Sequence, residues 1–323
     1  MSGSTVVTPP DPSPLAGDAL AGLWLDPPAL PAKWLYDERG SRLFDEITQL
    51  PEYYPTRRET YLLTRHAADI ARSTDATMLI EFGSGTSTKT RILLDALTGV
   101  GDGRTLAYVP VDVSSEMLTS SAQRLALDYP DLDVRPVVAD FTDPDLRLPA
   151  ADGARLAVLL GGTIGNFDQP QRRAFFTGLA GALQPGDFVL IGADLIKDTG
   201  RLVAAYNDKA GVTADFNRNV IEVLRRELDA SGLYPDDFDH IARWNPADHR
   251  IEMWLRARRD VHAHFGALAK DWQLPAGAEI LTEISIKFDA VSLSGELSDA
   301  GLDPVTEWTD PSRDFALLLA RVR

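Results

Sequence analysis

Short apolar runs alternate with longer amphipathic stretches along the middle of the chain. The apolar runs are residues 78–82, 106–113, 134–139, 156–160 and 188–191, and helical periodicity fits residues 87–97, 114–128 and 169–183 between them. Apolar runs this short, separated by helices, are typical of parallel strands that are buried on both faces. The pattern therefore predicts an α/β fold built on a parallel sheet.

The regular alternation stops after the fifth predicted strand. Residues 194–278 are predicted to be mostly helical (200–210 and 214–230), with strand character around 250–258, and alternation returns at 280–288. A helix at 292–300 and strands at 305–308 and 315–322 complete a predicted seven-stranded sheet. The N-terminal segment holds no strand of this sheet, so we expect it to pack with the insertion as a second domain, leaving a ligand cleft between the two.

Composition narrows the classes of function. The chain has 323 residues, which is enough for two domains of about 150 residues each. Its formal net charge of −16 disfavours binding to nucleic acid or to anionic membranes. Cysteine is absent, which excludes disulfides, thiolate nucleophiles and Cys-ligated metals. With no long apolar run and no signal-peptide pattern at the start, we expect a cytoplasmic protein.

A glycine-containing segment, EFGSGTSTKT, follows the first predicted strand at residues 81–90. Thr88 stands where a phosphate-binding P-loop needs its second glycine, and also where a dinucleotide-binding loop needs its third. The remaining Gly-x-Gly is equally compatible with a plain tight turn.

Polar and small residues follow the next predicted strands. Asp112 ends the second, Asp140 and Phe141 follow the third, and GGTIGNF at 161–167 follows the fourth. These positions lie at the carboxyl ends of neighbouring strands, where open α/β sheets bind ligands. Because two of them are acidic, S-adenosylmethionine, a sulfonium joined to adenosine, fits better than NAD or ATP.

This arrangement resembles the class I S-adenosylmethionine-dependent methyltransferases, which have a Rossmann-like seven-stranded sheet, and the resemblance extends to the ELSDAGL segment at 296–302. Longer motifs narrow it to the L-histidine Nα-methyltransferases of ergothioneine biosynthesis: KWLYDERGS (33–41), LPEYYPTR (50–57), GVTADFNRN (211–219), RIEMW (250–254) and LTEISIKF (281–288). The resemblance implies trimethylation of the histidine α-amino group to hercynine. Three molecules of S-adenosylmethionine would be used, and no metal.

The resemblance also implies a division of labour along the chain. Residues 1–57 and 195–285 would bind histidine, and residues 58–194 and 286–323 would bind the methyl donor. The cofactor residues would be Gly83, Lys89, Asp112, Asp140 and Phe141. The substrate residues would be Tyr53, Asn166, Tyr206, Met253, Glu283, Ile284 and Ser285, with Tyr36 as the catalytic residue near the amine.

The polar side chains in this set match the groups of histidine. Asn166 and Tyr206 can donate hydrogen bonds to its carboxylate. Alternation in 280–288 places Glu283 and Ser285 on one strand face, where they can meet the two ring nitrogens, with Lys287 on the same face. Without the resemblance, a solvated polar face of an edge strand would be the simpler interpretation.

Other interpretations remain open from the sequence. Tyr36 can accept a hydrogen bond from the amine, relay its proton or stabilise the ammonium product, but it is also a plausible core tyrosine. Met253 belongs to an alternating apolar set and fits the core as readily as a pocket. We expect His262 and His264 to be surface residues, because no further metal ligands accompany them. The alternative functions are methylation of another small amine and a non-catalytic cofactor sensor, and we expect a monomer.

Overall fold

The computed structural model describes residues 13–83, 89–100, 105–113, 115–143 and 146–323. Most of the predicted glycine loop, residues 84–88, lies outside the described residues, as does the start of the helix predicted at 87–97.

From residue 13 to the first strand, three α-helices precede the central sheet. They are α1 (Pro14–Gly22), α2 (Glu38–Gln49) and α3 (Tyr54–Thr74), with a short 3-10 helix at Ala32–Leu35 before α2. The sheet region continues with β1 (Met78–Phe82), α4 (Thr90–Val100), β2 (Ala107–Asp112), α5 (Ser115–Asp128), β3 (Asp133–Val134), β4 (Val137–Val138), β5 (Arg155–Leu159), a 3-10 helix at Thr163–Asn166, α6 (Gln169–Ala182) and β6 (Phe188–Asp194). The α/β alternation predicted from the apolar runs is confirmed.

The insertion comprises α7 (Thr199–Ala205), α8 (Val212–Glu227), β7 (Ala230–Ser231), β8 (Phe238–Asn245), β9 (Arg250–Ala257), β10 (Val261–Phe265), β11 (Lys270–Leu274) and β12 (Glu279–Ile286), with short 3-10 helices at Pro235–Asp237 and Gly266–Leu268. The chain ends with α9 (Ala290–Asp299), β13 (Leu302–Thr309) and β14 (Phe315–Val322).

The central sheet has the strand order β13-β14-β6-β5-β1-β2-β3, and β4 also pairs with β2. Strands β1, β2, β5 and β6 are parallel, whereas β14 is antiparallel to both β6 and β13. The third predicted strand, residues 134–139, is therefore two short strands in succession along β2. Pro136 lies between them and has no N–H to give to the ladder.

The prediction that residues 194–278 are mostly helical is wrong after Glu227. From Ala230 onward the insertion forms two antiparallel sheets, ordered β11-β10-β7 and β12-β9-β8. The period-two signal is present in β10, where Val261, Ala263 and Phe265 are buried and the histidines between them are exposed. Strands with one solvent-exposed face give a weaker apolar signal in the sequence than the fully buried strands of the central sheet.

Buried apolar side chains form three clusters. Two cover the opposite faces of the central sheet, and the third joins the N-terminal segment to the insertion, from Leu15 to Ile280. The domain boundaries given above stay a prediction. Within the described residues, no helix has both the length and the apolar character that crossing a bilayer requires.

Candidate active site

The predicted cofactor residues Gly83 and Phe141 lie side by side at the carboxyl ends of β1 and β4. Gly83 has a φ of 67° and donates its N–H to the Val111 carbonyl at 2.9 Å. A Cβ atom at Gly83 would lie 3.7 Å from Phe141 Cε1, so the ring packs close to this backbone, and the positive φ favours glycine here.

Asp140, next to this ring, is held as a carboxylate. The Thr142 backbone N–H donates to it at 2.9 Å, and the Lys33 ammonium lies 3.4 Å away. Burial works in the opposite direction, yet the hydrogen bonds from Thr142 and the charge of Lys33 keep the pKa of Asp140 below its usual range. Asp112 lies at the end of β2, partly exposed, on the same rim of the sheet.

Lys89 is connected to the loop after β5 by Glu59, a residue that the sequence did not single out. Glu59, a fully buried residue of α3, forms an ion pair with Lys89 and accepts the Gly161 N–H at 2.8 and 2.9 Å. One carboxylate therefore joins the glycine-loop lysine to the loop that leads to Asn166. An isolated glutamate in a helix carries no sequence signal of this kind.

A second buried glutamate supports the start of the glycine loop. Glu81 in β1 accepts hydrogen bonds from the Thr90 hydroxyl at 2.6 and 2.7 Å and from the Tyr108 hydroxyl. Burial raises its pKa to about 7, and these hydrogen bonds limit the rise.

The predicted substrate residues Tyr206 and Ser285 contact each other, with 2.8 Å between their hydroxyl oxygens. Lys287 donates to both hydroxyls at 2.8 Å and lies 2.9 Å from Asp194. Lys287 shares the strand face of Ser285, as predicted, whereas its partner Asp194 at the end of β6 was not anticipated.

Glu283 lies on the same buried face of β12, and only 9% of its surface is exposed. Burial raises its pKa to about 7, opposed by the charge of Lys287 and by a hydrogen bond with Asn166. Strand β12 is at the edge of its sheet, but residues 28–30 cover it through bonds of 2.9 and 2.8 Å to Leu281. The solvated-face interpretation is therefore wrong, while Ile284, on the opposite face, is partly exposed.

Three tyrosines, Tyr36, Tyr53 and Tyr206, lie near Glu283. Tyr36 packs edge-on against Phe44 and Phe216, and Tyr53 packs against Phe44 and Tyr206. Burial of the hydroxyls of Tyr36, Tyr53 and Tyr206, together with the nearby Glu283 carboxylate, raises each pKa well above the usual value. All three are therefore phenols at neutral pH, able to donate a hydrogen bond.

The adjacent tyrosines 53 and 54 have different partners. Tyr53 faces Tyr206, whereas the Tyr54 hydroxyl bonds Asp194 at 2.8 and 2.9 Å and accepts from Lys197. Met253 is 1% exposed and lies opposite Glu283 in the β9–β12 register, within the core of the insertion. Its assignment to the pocket stays a prediction.

Nothing among the described residues gathers three His, Asp or Glu side chains in a metal-binding arrangement. His262 and His264 are exposed on β10, and His264 lies 2.7 Å from Asp271.

The last strand of the chain, β14, runs antiparallel between β6 and β13 in the central sheet, and the parallel strands carry the predicted cofactor residues at their carboxyl ends. This is the fold of the class I methyltransferases. A solved S-adenosylmethionine-dependent methyltransferase from Clostridium acetobutylicum has the same fold, with a TM-score of 0.50 over 87% of this chain and 98% of its own at 12% identity.

Sequence comparison identifies the family. A family model described as histidine-specific, S-adenosylmethionine-dependent methyltransferase matches residues 15–322. Histidine N-alpha-methyltransferase of Mycolicibacterium smegmatis is 48% identical over 95% of this chain and 94% of its own length. Ergothioneine biosynthesis protein 1 of Neurospora crassa is 31% identical over 92% of this chain and 34% of its own length. The chain belongs to the family of histidine-specific, S-adenosylmethionine-dependent methyltransferases.

Proposed function

We propose that this protein transfers three methyl groups from S-adenosylmethionine to the α-amino nitrogen of L-histidine, giving hercynine for ergothioneine biosynthesis. Besides family membership, the observation that carries the proposal is the buried pair Glu283 and Ser285 on one face of β12. A desolvated carboxylate selects a ligand that brings an N–H, because any other ligand leaves Glu283 with the Asn166 hydrogen bond but without a partner for its remaining acceptor positions.

The strand-end residues fit the methyl donor. Asp112 and Asp140 would accept hydrogen bonds from the ribose hydroxyls and the adenine amine, and Phe141 would cover the adenine ring. Gly83 leaves room for the ligand against the backbone, and the Lys89 ammonium would meet the carboxylate of the methionine part. When bound, S-adenosylmethionine supplies an electrophilic methyl group on a cationic sulfur.

The substrate residues divide between the two ends of histidine. Asn166 and Tyr206 would donate to the carboxylate, while Glu283 would accept the ring N–H and Ser285 would bond the second ring nitrogen. Because the hydroxyls of Tyr206 and Ser285 bond each other, histidine would separate them or bond them as a unit. Met253, Ile284 and Tyr53 would line the remaining surface.

Tyr36 would act on the amine. Methyl transfer is an in-line displacement, so the protein's tasks are alignment, desolvation and accommodation of the positive charge. The raised pKa of Tyr36 keeps its hydroxyl neutral. Its oxygen lone pairs would accept a hydrogen bond from the amine, which would orient the amine lone pair toward the methyl group. Its ring, which like that of Tyr53 packs against Phe44, would stabilise the quaternary ammonium.

The oligomeric state, the location and the partners of the enzyme belong to the same proposal. The enzyme would act as a monomer in the cytoplasm, on a free amino acid, without a metal ion and without nucleic acid.

Mass spectrometry of histidine incubated with the protein and S-adenosylmethionine tests the reaction. We expect successive mono-, di- and trimethylated histidine, with other amino acids unchanged. Binding of S-adenosylmethionine without methylated histidine would leave another small amine, or a sensor role, as the function.

The double variant Glu283→Ala/Ser285→Ala tests the site. We expect histidine binding to weaken by about a hundredfold, because two buried hydrogen bonds are lost, while cofactor binding persists. Calorimetry with each ligand measures both effects, and unchanged histidine affinity would refute the ring assignment.

A further inference from the structure

Lys287 has no role in the site as proposed, yet it is wholly buried in it. Its side chain is 0% exposed, and its ammonium contacts the Asp194 carboxylate at 2.9 Å and the hydroxyls of Tyr206 and Ser285 at 2.8 Å each. An ammonium carries three hydrogens. The three partners therefore use all of them, and Lys287 has none left for a ligand.

Counting hydrogens shows what this does to the two hydroxyls. Tyr206 and Ser285 each accept a hydrogen from Lys287, and one of them donates to the other across 2.8 Å. Of their two hydroxyl hydrogens, one remains, and it can point only away from Lys287. Lys287 thus fixes which atoms of the two hydroxyls remain to bond a ligand.

The ammonium of Lys287 also places a positive charge near Glu283. Asp194 serves both Lys287 and Lys197, so one carboxylate faces two cations. The positive charge of Lys287 opposes the rise in the pKa of Glu283 that burial causes. Among the described residues, the Asn166 amide and the hydroxyls of Tyr36, Tyr53 and Tyr206 also interact with Glu283, and all four groups are uncharged at neutral pH.

We propose that Lys287 is a positioning residue of the histidine site, which orients the hydroxyls of Tyr206 and Ser285 and supplies the positive charge next to Glu283. The inference rests on the proposed function, since it takes histidine as the ligand of these groups. Lys287 acts through its neighbours and does not touch the substrate.

The test is histidine binding by calorimetry in the presence of S-adenosylhomocysteine, which carries no methyl group to transfer. For Lys287→Met we expect histidine binding to weaken about tenfold or more at neutral pH, because the hydroxyls of Tyr206 and Ser285 lose the donor that orients them. Without the nearby positive charge, the pKa of Glu283 rises further, so the midpoint of the Glu283-dependent part of binding moves to higher pH. Glu283→Gln has no ionisable group at this position, so its pH profile is the reference that is subtracted. The affinity of Lys287→Met for S-adenosylhomocysteine should stay unchanged.

Two further variants separate positioning from a structural role. Lys197→Met is the matched control, because Lys197 also pairs with Asp194 but bonds neither Tyr206 nor Ser285, and we expect the midpoint to stay near that of the wild type. Asp194→Asn keeps Lys287 and removes its counter-charge, so the midpoint should move to lower pH, opposite to Lys287→Met. If Lys287→Met does not fold, this opposite shift decides.

The outcomes distinguish this inference from the proposed function. A wild-type protein that neither binds nor methylates histidine refutes the function itself. If the wild-type protein binds and methylates histidine, the function stands. Equal midpoints for Lys287→Met and Lys197→Met, or a midpoint of Asp194→Asn equal to that of the wild type, would then refute only the role of Lys287.

Discussion

At the scale of single residues, Glu283 shows how burial and charge compete at one carboxyl group. Its pKa of about 7 means that the ionised form, the better acceptor for a ring N–H, grows as pH rises through neutrality. We expect histidine binding to strengthen over this window by more than the titration of histidine itself explains. Calorimetry at several pH values, with Glu283→Gln as reference, measures the difference, and identical pH profiles would contradict it.

Tyr36 gives a second prediction at this scale. Removing its hydroxyl in Tyr36→Phe keeps the packing against Phe44 and Phe216 but loses the acceptor for the amine. We expect single-turnover methyl transfer to slow by about tenfold to a hundredfold, with a small change in histidine Kd. Tyr61, an exposed tyrosine on α3, provides the control variant Tyr61→Phe. Equal rates for the two variants would rule out a role for the Tyr36 hydroxyl.

At the scale of elements, Glu81 connects β1 with the start of α4, and its raised pKa predicts a pH-dependent stability. The unfolded chain releases this proton near pH 4.5, the folded protein near pH 7. Between these values the folded state binds more protons, so this group's contribution to stability falls as pH rises from 4.5 to about 7 and is then constant.

Glu81→Gln removes this pH-dependent loss of stability, because glutamine does not ionise. We expect the stability of the variant relative to the wild type to increase across that window by on the order of 3 kcal/mol. Denaturant unfolding at several pH values measures it. Glu279, whose pKa the guanidinium groups of Arg243 and Arg256 lower against the effect of burial, is the control, because Glu279→Gln should show the opposite trend at more acidic pH. A difference that does not change with pH would contradict the burial of the Glu81 charge.

Two glycines in neighbouring elements should respond oppositely to alanine. A Cβ at Gly192 in β6 would lie 2.1 Å from Glu59 Oε1, and Glu59 is held by the Gly161 N–H. Gly178 on the exposed side of α6 has no atom within 4 Å of such a Cβ. Thermal unfolding should show Gly192→Ala less stable by about 2–3 kcal/mol and Gly178→Ala more stable by about 0.5–1 kcal/mol. Equal effects would mean that Glu59 can move aside.

Sequence patterns at this scale predicted the sheet better than the insertion. Strands β1 and β14 have the predicted bounds, because each is an apolar run with both faces covered that is interrupted by a single charged residue, Glu81 in β1 and Arg321 in β14. Strands β8 and β11 were missed, because few of their residues are buried and polar side chains interrupt their apolar positions.

At the scale of the whole molecule, the candidate site is assembled from segments that are far apart in the chain. Tyr36 and Tyr53 come from the N-terminal segment, Asn166 from the sheet region, and Tyr206 and Glu283 from the insertion. A ligand that touches all of them should stabilise the folded protein as a unit.

We therefore expect histidine to raise the thermal unfolding midpoint of the complex with S-adenosylhomocysteine. A histidine concentration about 100 times its Kd adds about 2.7 kcal/mol to the free energy of unfolding. Differential scanning fluorimetry measures the shift, and Glu283→Ala/Ser285→Ala should lose it while keeping the shift caused by S-adenosylhomocysteine. An equal histidine shift in the double variant would place histidine elsewhere.

The sequence by itself determined the α/β class, the positions of the strand-end residues and the family, because these depend on local apolar periodicity and on motifs contiguous in the chain. Only the tertiary structure decided that Glu59 joins Lys89 to Gly161, and that Asp194 and Lys287 meet behind Tyr206 and Ser285. Such contacts join residues tens to more than a hundred positions apart. Their chemistry follows from burial, which only the folded chain sets, and no local pattern encodes it.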